Sequence, residues 1–301
     1  RGNMIRVKVP ATSANLGAGF DSLGIALGLY NQVWMEEADG IFISSRDGMS
    51  VPTGDDNLVF WAAKQLYQEC GAHFPGLRLE QESCIPMTRG LGSSSACIVA
   101  GLLGANRLLG SPFSQHEIVN LANKIEGHPD NTTPAILGGL VASAVESGRV
   151  YSVSVPVSDK IRFAVLIPPF ELKTEVARRA LPSEVSRENA VYNLSRSALI
   201  TASLFSGSLE NLRVAVQDTL HQTYRAHFIP GMEQVFRITY ELGSYGTYIS
   251  GAGPSIIAII GKNTAADFES HALPRLEEKG IEGWTVAILE NDRSGAAVYI
   301  D

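Results

Sequence analysis

The chain has 301 residues, 45% hydrophobic and 18% charged, a globular composition able to bury a core of real size. Its net charge of −7, its seven scattered lysines and its longest basic run, Arg178-Arg179, exclude the basic face that nucleic-acid binding requires. Any phosphate must therefore be held locally, by backbone N–H groups, a metal ion and a few side chains.

No apolar run reaches the roughly 18 residues of a membrane span. Arg1–Asn3 lacks the apolar core of a secretory signal, so Met4 reads as the natural start and the residues before it as a remnant. Cys70, Cys84 and Cys97 form no Cys-x-x-Cys pair, which argues against a disulfide framework or a zinc site. A reduced, cytoplasmic protein is expected.

In chain order, Ile5–Val9 alternates like a half-buried strand, and Pro10–Asp21 reads as a loop of small residues. Ile25–Glu36, Gly40–Ser45 and Leu77–Ser83 read as strands, with a helix over Asn57–Cys70 closed by Gly71. Helices are expected at Ser95–Leu109 and Gln115–Glu126. The turn Gly127-His128-Pro129-Asp130-Asn131 follows, then a short helix from Pro134, with Thr133 as a plausible cap, and the strand Gly139–Val145.

A polar, strand-like stretch over residues 147–160 marks a boundary between lobes 1–155 and 156–301. The strand Phe163–Ile167 begins the second lobe, with helices over Thr174–Ala180, Ala190–Phe205, Asn211–Tyr224 and Met232–Leu242. Strands Tyr248–Ser250 and Ile256–Ile260, the helix Ala265–Lys279 and strands Gly283–Leu289 and Ala296–Tyr299 complete the chain. Without regular βα alternation, this order predicts a two-lobed α+β enzyme with a cleft between the lobes.

Pro86-Met-Thr-Arg89-Gly90-Leu91-Gly92-Ser93-Ser94-Ser95-Ala96 joins a strand to an apolar helix. A helix start leaves backbone N–H groups unpaired and carries about half a positive charge, so it attracts anions. Gly90 and Gly92 permit close approach, and the three serines add hydroxyls for phosphate or magnesium. A flexible linker would not run straight into Ala96-Cys-Ile-Val-Ala-Gly-Leu-Leu. Neither a G-x-x-x-x-G-K-[ST] loop nor a G-x-G-x-x-G fingerprint is present, so the loop is of neither common nucleotide-binding type.

Three segments in order resemble one family. Pro10-Ala-Thr-Ser-Ala-Asn-Leu-Gly-Ala-Gly-Phe-Asp21, Pro86–Ala96 and Ser250-Gly-Ala-Gly-Pro-Ser255 are similar to the three motifs of the galactokinase–homoserine kinase–mevalonate kinase–phosphomevalonate kinase (GHMP) superfamily. Thr12-Ser13-Ala14-Asn15 with Gly19-Phe20-Asp21, and Glu126-Gly-His-Pro-Asp-Asn131, resemble its homoserine kinase branch. The resemblance implies an N-terminal lobe like domain 2 of ribosomal protein S5 and a C-terminal ferredoxin-like α/β sandwich. It also implies ATP and Mg²⁺, the conversion of L-homoserine to O-phospho-L-homoserine in threonine biosynthesis, and a homodimer.

The resemblance also implies site residues, each with a plainer alternative. Glu126 and Ser94 are the expected magnesium ligands, although an isolated helix-end glutamate is often simply solvated. Asn15, Asp21, His128 and Asn131 are expected to form the homoserine pocket, with Asn131, Glu126 and Ser94 the catalytic set; His128 could equally sit on the surface. Thr174, Arg178 and Arg225 are expected to contact substrate, the arginines suiting a carboxylate through two parallel hydrogen bonds. Asn57 resembles an adenine contact or a helix cap. Gly251 and Gly253 resemble substrate-side glycines or a tight turn.

Homoserine kinases are thought to work without a dedicated base, so Asp130 is given no such role. Another GHMP kinase, a non-catalytic ligand binder and an RNA-binding protein sharing the N-terminal fold are the alternatives. The last conflicts with the acidic charge, and the second with the intact Glu126 and Ser93–Ser95.

Overall fold

The computed structural model describes residues 4–300; Arg1–Asn3, with the expected remnant, and Asp301 lie outside the described residues. The elements run β1 Ile5–Ala14, β2 Leu23–Glu37, β3 Gly40–Ser45, α1 Leu58–Cys70, β4 Gly76–Ser83, α2 Ser93–Leu108, α3 Gln115–Glu126, α4 Pro129–Leu137, β5 Leu140–Glu146 and β6 Arg149–Val155. They continue with β7 Ile161–Ile167, α5 Thr174–Arg179, α6 Arg187–Ser206, α7 Leu212–Ala215, α8 Gln222–Arg225, α9 Met232–Glu241, β8 Gly246–Ile249, β9 Ile256–Gly261, α10 Ala265–Glu277, β10 Thr285–Leu289 and β11 Ala297–Ile300.

A seven-stranded sheet has the order β11-β1-β2-β4-β3, with β5 and β6 added along the first part of β2. Helix α2 packs on β1 and β2, flanked by α1 and α4. A four-stranded antiparallel sheet has the order β10-β7-β9-β8, and its βαββαβ path is the ferredoxin-like arrangement. Period-2 alternation splits this second sheet into two buried faces. Ala164, Leu166, Ile256, Ala258 and Ile260 meet Val235 and Ile238 of α9 and Phe268, Ala272 and Leu276 of α10. Phe163, Val165, Ile257 and Ile259 instead join Ile200, Leu204, Leu212 and Val216 in the core shared with the first sheet. Each buried Val, Leu, Ile or Phe among them contributes about 1.5–3 kcal/mol, so the two lobes are fastened by a continuous apolar core. Strand β11 returns to pair with β1.

Three expectations are corrected. The loop expected from Pro10 is strand as far as Ala14. A register shift between Pro10 and Ala11 absorbs the proline, and Ala11, Thr12 and Ser13 are fully buried in the sheet. The helix expected from Pro134 begins at Pro129, with His128 as its N-cap residue and Pro134 in its interior. Pro129 occupies the first helical position, where a missing N–H costs nothing. Thr133 therefore caps nothing; its buried hydroxyl has no partner among the described residues.

The single helix expected over 211–224 is broken. A 3₁₀ turn at Leu209–Asn211 and α7 are separated from α8 by a loop. There the Asp218 carboxylate takes the N–H groups of Leu220, His221 and Gln222 at 3.0, 2.8 and 2.6 Å. An aspartate that satisfies backbone donors in this way competes with helix continuation and starts a new helix.

Candidate active site

The glycine–serine loop before α2 is shaped by backbone angles that most side chains resist. Thr88, Gly90 and Gly92 have φ of 52°, 74° and 71°. A Cβ on Gly90 would fall 2.3 Å from the Ser250 carbonyl oxygen, and one on Gly92 would fall 2.0 Å from Thr12 Oγ1. The loop is thus pressed between the first and third motifs, with Ser250 Oγ donating to the Gly90 carbonyl at 2.6 Å and sharing a 2.8 Å bond with Ser13 Oγ. Gly92 is the N-cap residue of α2 and offers no side chain to it. The first N–H groups of a 16-residue helix are left for an anion.

At that helix start, Ser94 Oγ and Ser95 Oγ donate to the same oxygen, Glu126 Oε1, at 3.2 and 3.0 Å. Glu126 comes from the last turn of α3, which a capping box of Ser114 and Glu117 starts in register. Three hard oxygen donors meet beside the anion site, a combination that suits Mg²⁺.

Across the cleft lie further charged and polar groups. The residue 15–21 loop has positive φ at Asn15, Leu16 and Asp21, stabilised by Asn15 Oδ1 accepting from the Asp21 N–H at 3.0 Å. Asp21 receives both Nη groups of Arg178 at 2.9 Å each. Burial works against its carboxylate, but the Arg178 guanidinium outweighs it and holds the Asp21 pKa below the ordinary value. His128 Nδ1 meets Asp130 Oδ1 at 2.5 Å. Burial disfavours the charged imidazole, yet Asp130, with Glu126 and Asp21, more than offsets this and raises the His128 pKa. Thr12 Oγ1 donates to Asn131 Oδ1 at 2.8 Å, and Asn131 lines the cleft. Arg225, at the floor, is pushed down to about 10 by burial and by Arg178, and so stays charged at neutral pH.

One cleft accordingly gathers Asn15, Asp21, Arg89, Gly90, Leu91, Gly92, Ser93, Ser94, Ser95, Glu126, His128, Asn131, Thr174, Arg178, Arg225 and Gly251. An adjoining pocket shares Thr88, Ser93 and Ser94 with it and is walled by Met49, Val51, Ile85, Pro86, Met87 and Cys97. Its apolar walls beside an anion site can take a flat heterocycle.

Four of the expected residues sit differently. Asn57 lines the adjoining pocket, but its Oδ1 caps α1 at Val59 and Phe60 while its Nδ2 binds Pro52 O and Gln81 Oε1. Its side chain is fully used as a cap and a tie. Arg89 directs its Nε and Nη2 to the carbonyls of Pro168 and Pro169, strapping the loop to the segment before α5. Ala96 is buried beneath the loop, and Gly253 lies behind Gly90 outside the cleft lining.

Sequence reasoning passed over Thr12, Ser13 and Ser250, although all three lie within the quoted motifs. It also missed the His128–Asp130 contact and Ser95 as a second hydroxyl on Glu126. Of the adjoining pocket only Asn57 and Pro86–Ser94 were legible, through the resemblance; its other walls come from residues 49–52 and 81–85, which only folding brings together.

The family model for the GHMP kinases N terminal domain matches residues 57–139, and that for the GHMP kinases C terminal matches residues 199–278. A homoserine kinase of Caldicellulosiruptor saccharolyticus is 46% identical, covering 98% of this chain and 97% of that protein. One of Clostridium beijerinckii is 45% identical, covering 98% of each. The crystal structure of homoserine kinase from Cytophaga hutchinsonii superposes with a TM-score of 0.88 at 26% identity, covering 99% of this chain and 98% of that one. The two family matches, the near full-length identity and the shared fold place this chain in the GHMP kinase family, within its homoserine kinase group.

Proposed function

We propose that this chain transfers the γ-phosphoryl group of ATP to the side-chain hydroxyl of L-homoserine, giving O-phospho-L-homoserine and ADP, a step of threonine biosynthesis. The observation that carries the reading is an ionised Asp21 carboxylate, paired with Arg178, and a second guanidinium, Arg225, in the same cleft as the uncapped start of α2. A zwitterion bearing a hydroxyl needs both charges answered: its ammonium group can share the Asp21 carboxylate with Arg178, and its carboxylate can meet the Arg178 and Arg225 guanidinium groups.

In this reading Asp21 and Asn15 take the ammonium group, and Arg178, Arg225 and Thr174 the carboxylate end. His128 and Asn131 orient the hydroxyl, with Gly251 leaving room beside it. Gly90–Ser95 hold the phosphates through N–H groups, and the apolar pocket beside Pro86 takes the base. The hard oxygen donors of Ser94 and Glu126 fit Mg²⁺, which neutralises phosphate charge when bound. Phosphoryl transfer needs alignment and charge stabilisation more than covalent help, so in-line attack with no dedicated base is assigned.

The reading includes a division of the chain at residues 155/156 and a cytoplasmic location, which the three free cysteines favour. It includes no nucleic-acid or membrane partner; among the described residues no helix is long and apolar enough to cross a membrane. It also includes a homodimer, for which Val153, Leu194 and Phe205, 66%, 71% and 66% exposed, offer an apolar face.

A coupled ADP-release assay over homoserine, threonine, mevalonate and shikimate, with and without Mg²⁺, tests the function. Mg²⁺-dependent turnover of homoserine is expected. Turnover of another acceptor with none on homoserine refutes it.

A further inference from the structure

Arg225 is 1% exposed, and its Nη1 meets two acceptors: His221 Nδ1 at 3.0 Å and the Gly251 carbonyl at 3.1 Å. His221 is fully buried, and its Nε2 lies 2.7 Å from the Gly17 carbonyl. A carbonyl only accepts, so Nε2 carries the proton and Nδ1 presents the lone pair that receives Arg225. Burial, with Arg225 beside it, keeps the imidazole neutral; Asp218, 3.7 Å from Nε2, and Asp21 pull the other way and are outweighed. Phe20 stacks on the ring with centroids 5.3 Å apart and planes at 24°, fixing its tilt.

The circuit closes on the acceptor loop. The Gly251 carbonyl that takes Arg225 also accepts from Asn15 Nδ2 at 3.1 Å, and Asn15 lies two residues before Gly17. Gly17, His221, Arg225, Gly251 and Asn15 thus form one ring of hydrogen bonds under the site. It joins the 15–21 loop, α8 and the third motif. Among the described residues no acceptor is found for Arg225 Nη2, and Arg225 lines the cleft.

We propose that His221 is a positioning residue for acceptor recognition: as a neutral hydrogen-bond acceptor it locks Arg225 Nη1 and thereby aims Nη2 at the carboxylate of the bound acceptor. The inference rests on the homoserine reading above. A protonated histidine would turn Nδ1 into a donor facing a guanidinium, so the neutral form is the functional one. Four-residue spacing on α8 and its N-cap puts the two side chains side by side, and the Asp218 turn sets where that helix starts.

The test compares His221→Leu and His221→Asn with wild type on two acceptors, homoserine and 3-amino-1-propanol, which keeps the ammonium and hydroxyl groups but lacks the carboxylate. His221→Leu is expected to raise KM for homoserine about 10- to 100-fold, the range for losing a hydrogen bond to a charged group. KM for ATP and kcat/KM for 3-amino-1-propanol should stay within about twofold. His221→Asn, whose Oδ1 replaces Nδ1, should recover most of the loss. Equal losses on both acceptors, or no change on homoserine, overturn the proposal. If His221→Leu does not fold, His221→Asn is compared with His221→Gln, which reaches only the Nε2 position; equal activity of the two on homoserine overturns it. A wild-type protein inactive on homoserine would instead refute the functional reading, before any variant is made.

Discussion

Gly92→Ala is the sharpest probe of the phosphate loop. Gly92 stands at φ +71°, where an alanine costs about 1–2 kcal/mol. Its Cβ would fall 2.0 Å from Thr12 Oγ1 and 3.3 Å from Asn131 Oδ1. Thr12 is fully buried in β1 and its hydroxyl is held by Asn131 at 2.8 Å, so it can yield only by giving up that bond. A buried polar group left unpaired costs about 1–3 kcal/mol, which brings the total to about 2–5 kcal/mol. At about 2 °C per kcal/mol for a chain of this size, Tm should fall on the order of 4–10 °C by scanning calorimetry. The same displacement tilts the first N–H groups of α2, so KM for ATP should rise as well. Removing the obstructing hydroxyl with Thr12→Ala should relieve part of the penalty. The double variant should then be more stable than the sum of the single effects, by about 1–2 kcal/mol in a double-mutant cycle. A Gly92→Ala protein with wild-type Tm and wild-type KM for ATP, or strict additivity with Thr12→Ala, would refute the reasoning.

Glu126→Gln keeps an acceptor for Ser94 and Ser95 but removes the anionic ligand; kcat should fall about 10²- to 10³-fold with a rise in the Mg²⁺ concentration needed, and an unchanged Mg²⁺ titration would contradict the metal assignment. Asp130→Asn should keep kcat within about tenfold in steady-state assays, whereas a drop of about 10³-fold would make Asp130 the base. The raised His128 pKa has a stability consequence. The folded state binds this proton more tightly, so the contribution is complete below the unfolded value of 6.5 and is lost as pH rises through the higher folded value. Wild-type Tm should decline over that interval while His128→Gln shows no such step; parallel curves would remove His128 from the account.

Several site features follow from local chemistry and so could be read along the chain. A glycine-rich turn before an apolar helix makes an anion site wherever it folds, because unpaired N–H groups are a property of helix starts. Asp21, Arg178 and Arg225 were named by the resemblance, and their charges have few uses other than pairing. Other features were decided by burial and by distant partners. The segment Ala11–Ala14 has the composition of a loop, and it became strand because β2 supplied a buried edge for it. The break before α8 depended on Asp218 finding three backbone donors, and it set the position of His221 and Arg225. Asn57 and Arg89 carry chemistry suited to a nucleotide, yet in the folded chain a helix start and the Pro168–Pro169 carbonyls claim them. Residue type and spacing alone marked Arg89–Ser95 as an anion site at a helix start, where the proposed function puts the phosphates of ATP. Which hydroxyls, carbonyls and charges surround it was a matter of tertiary structure, because hydrogen-bond partners more than 100 residues apart leave no mark on local sequence.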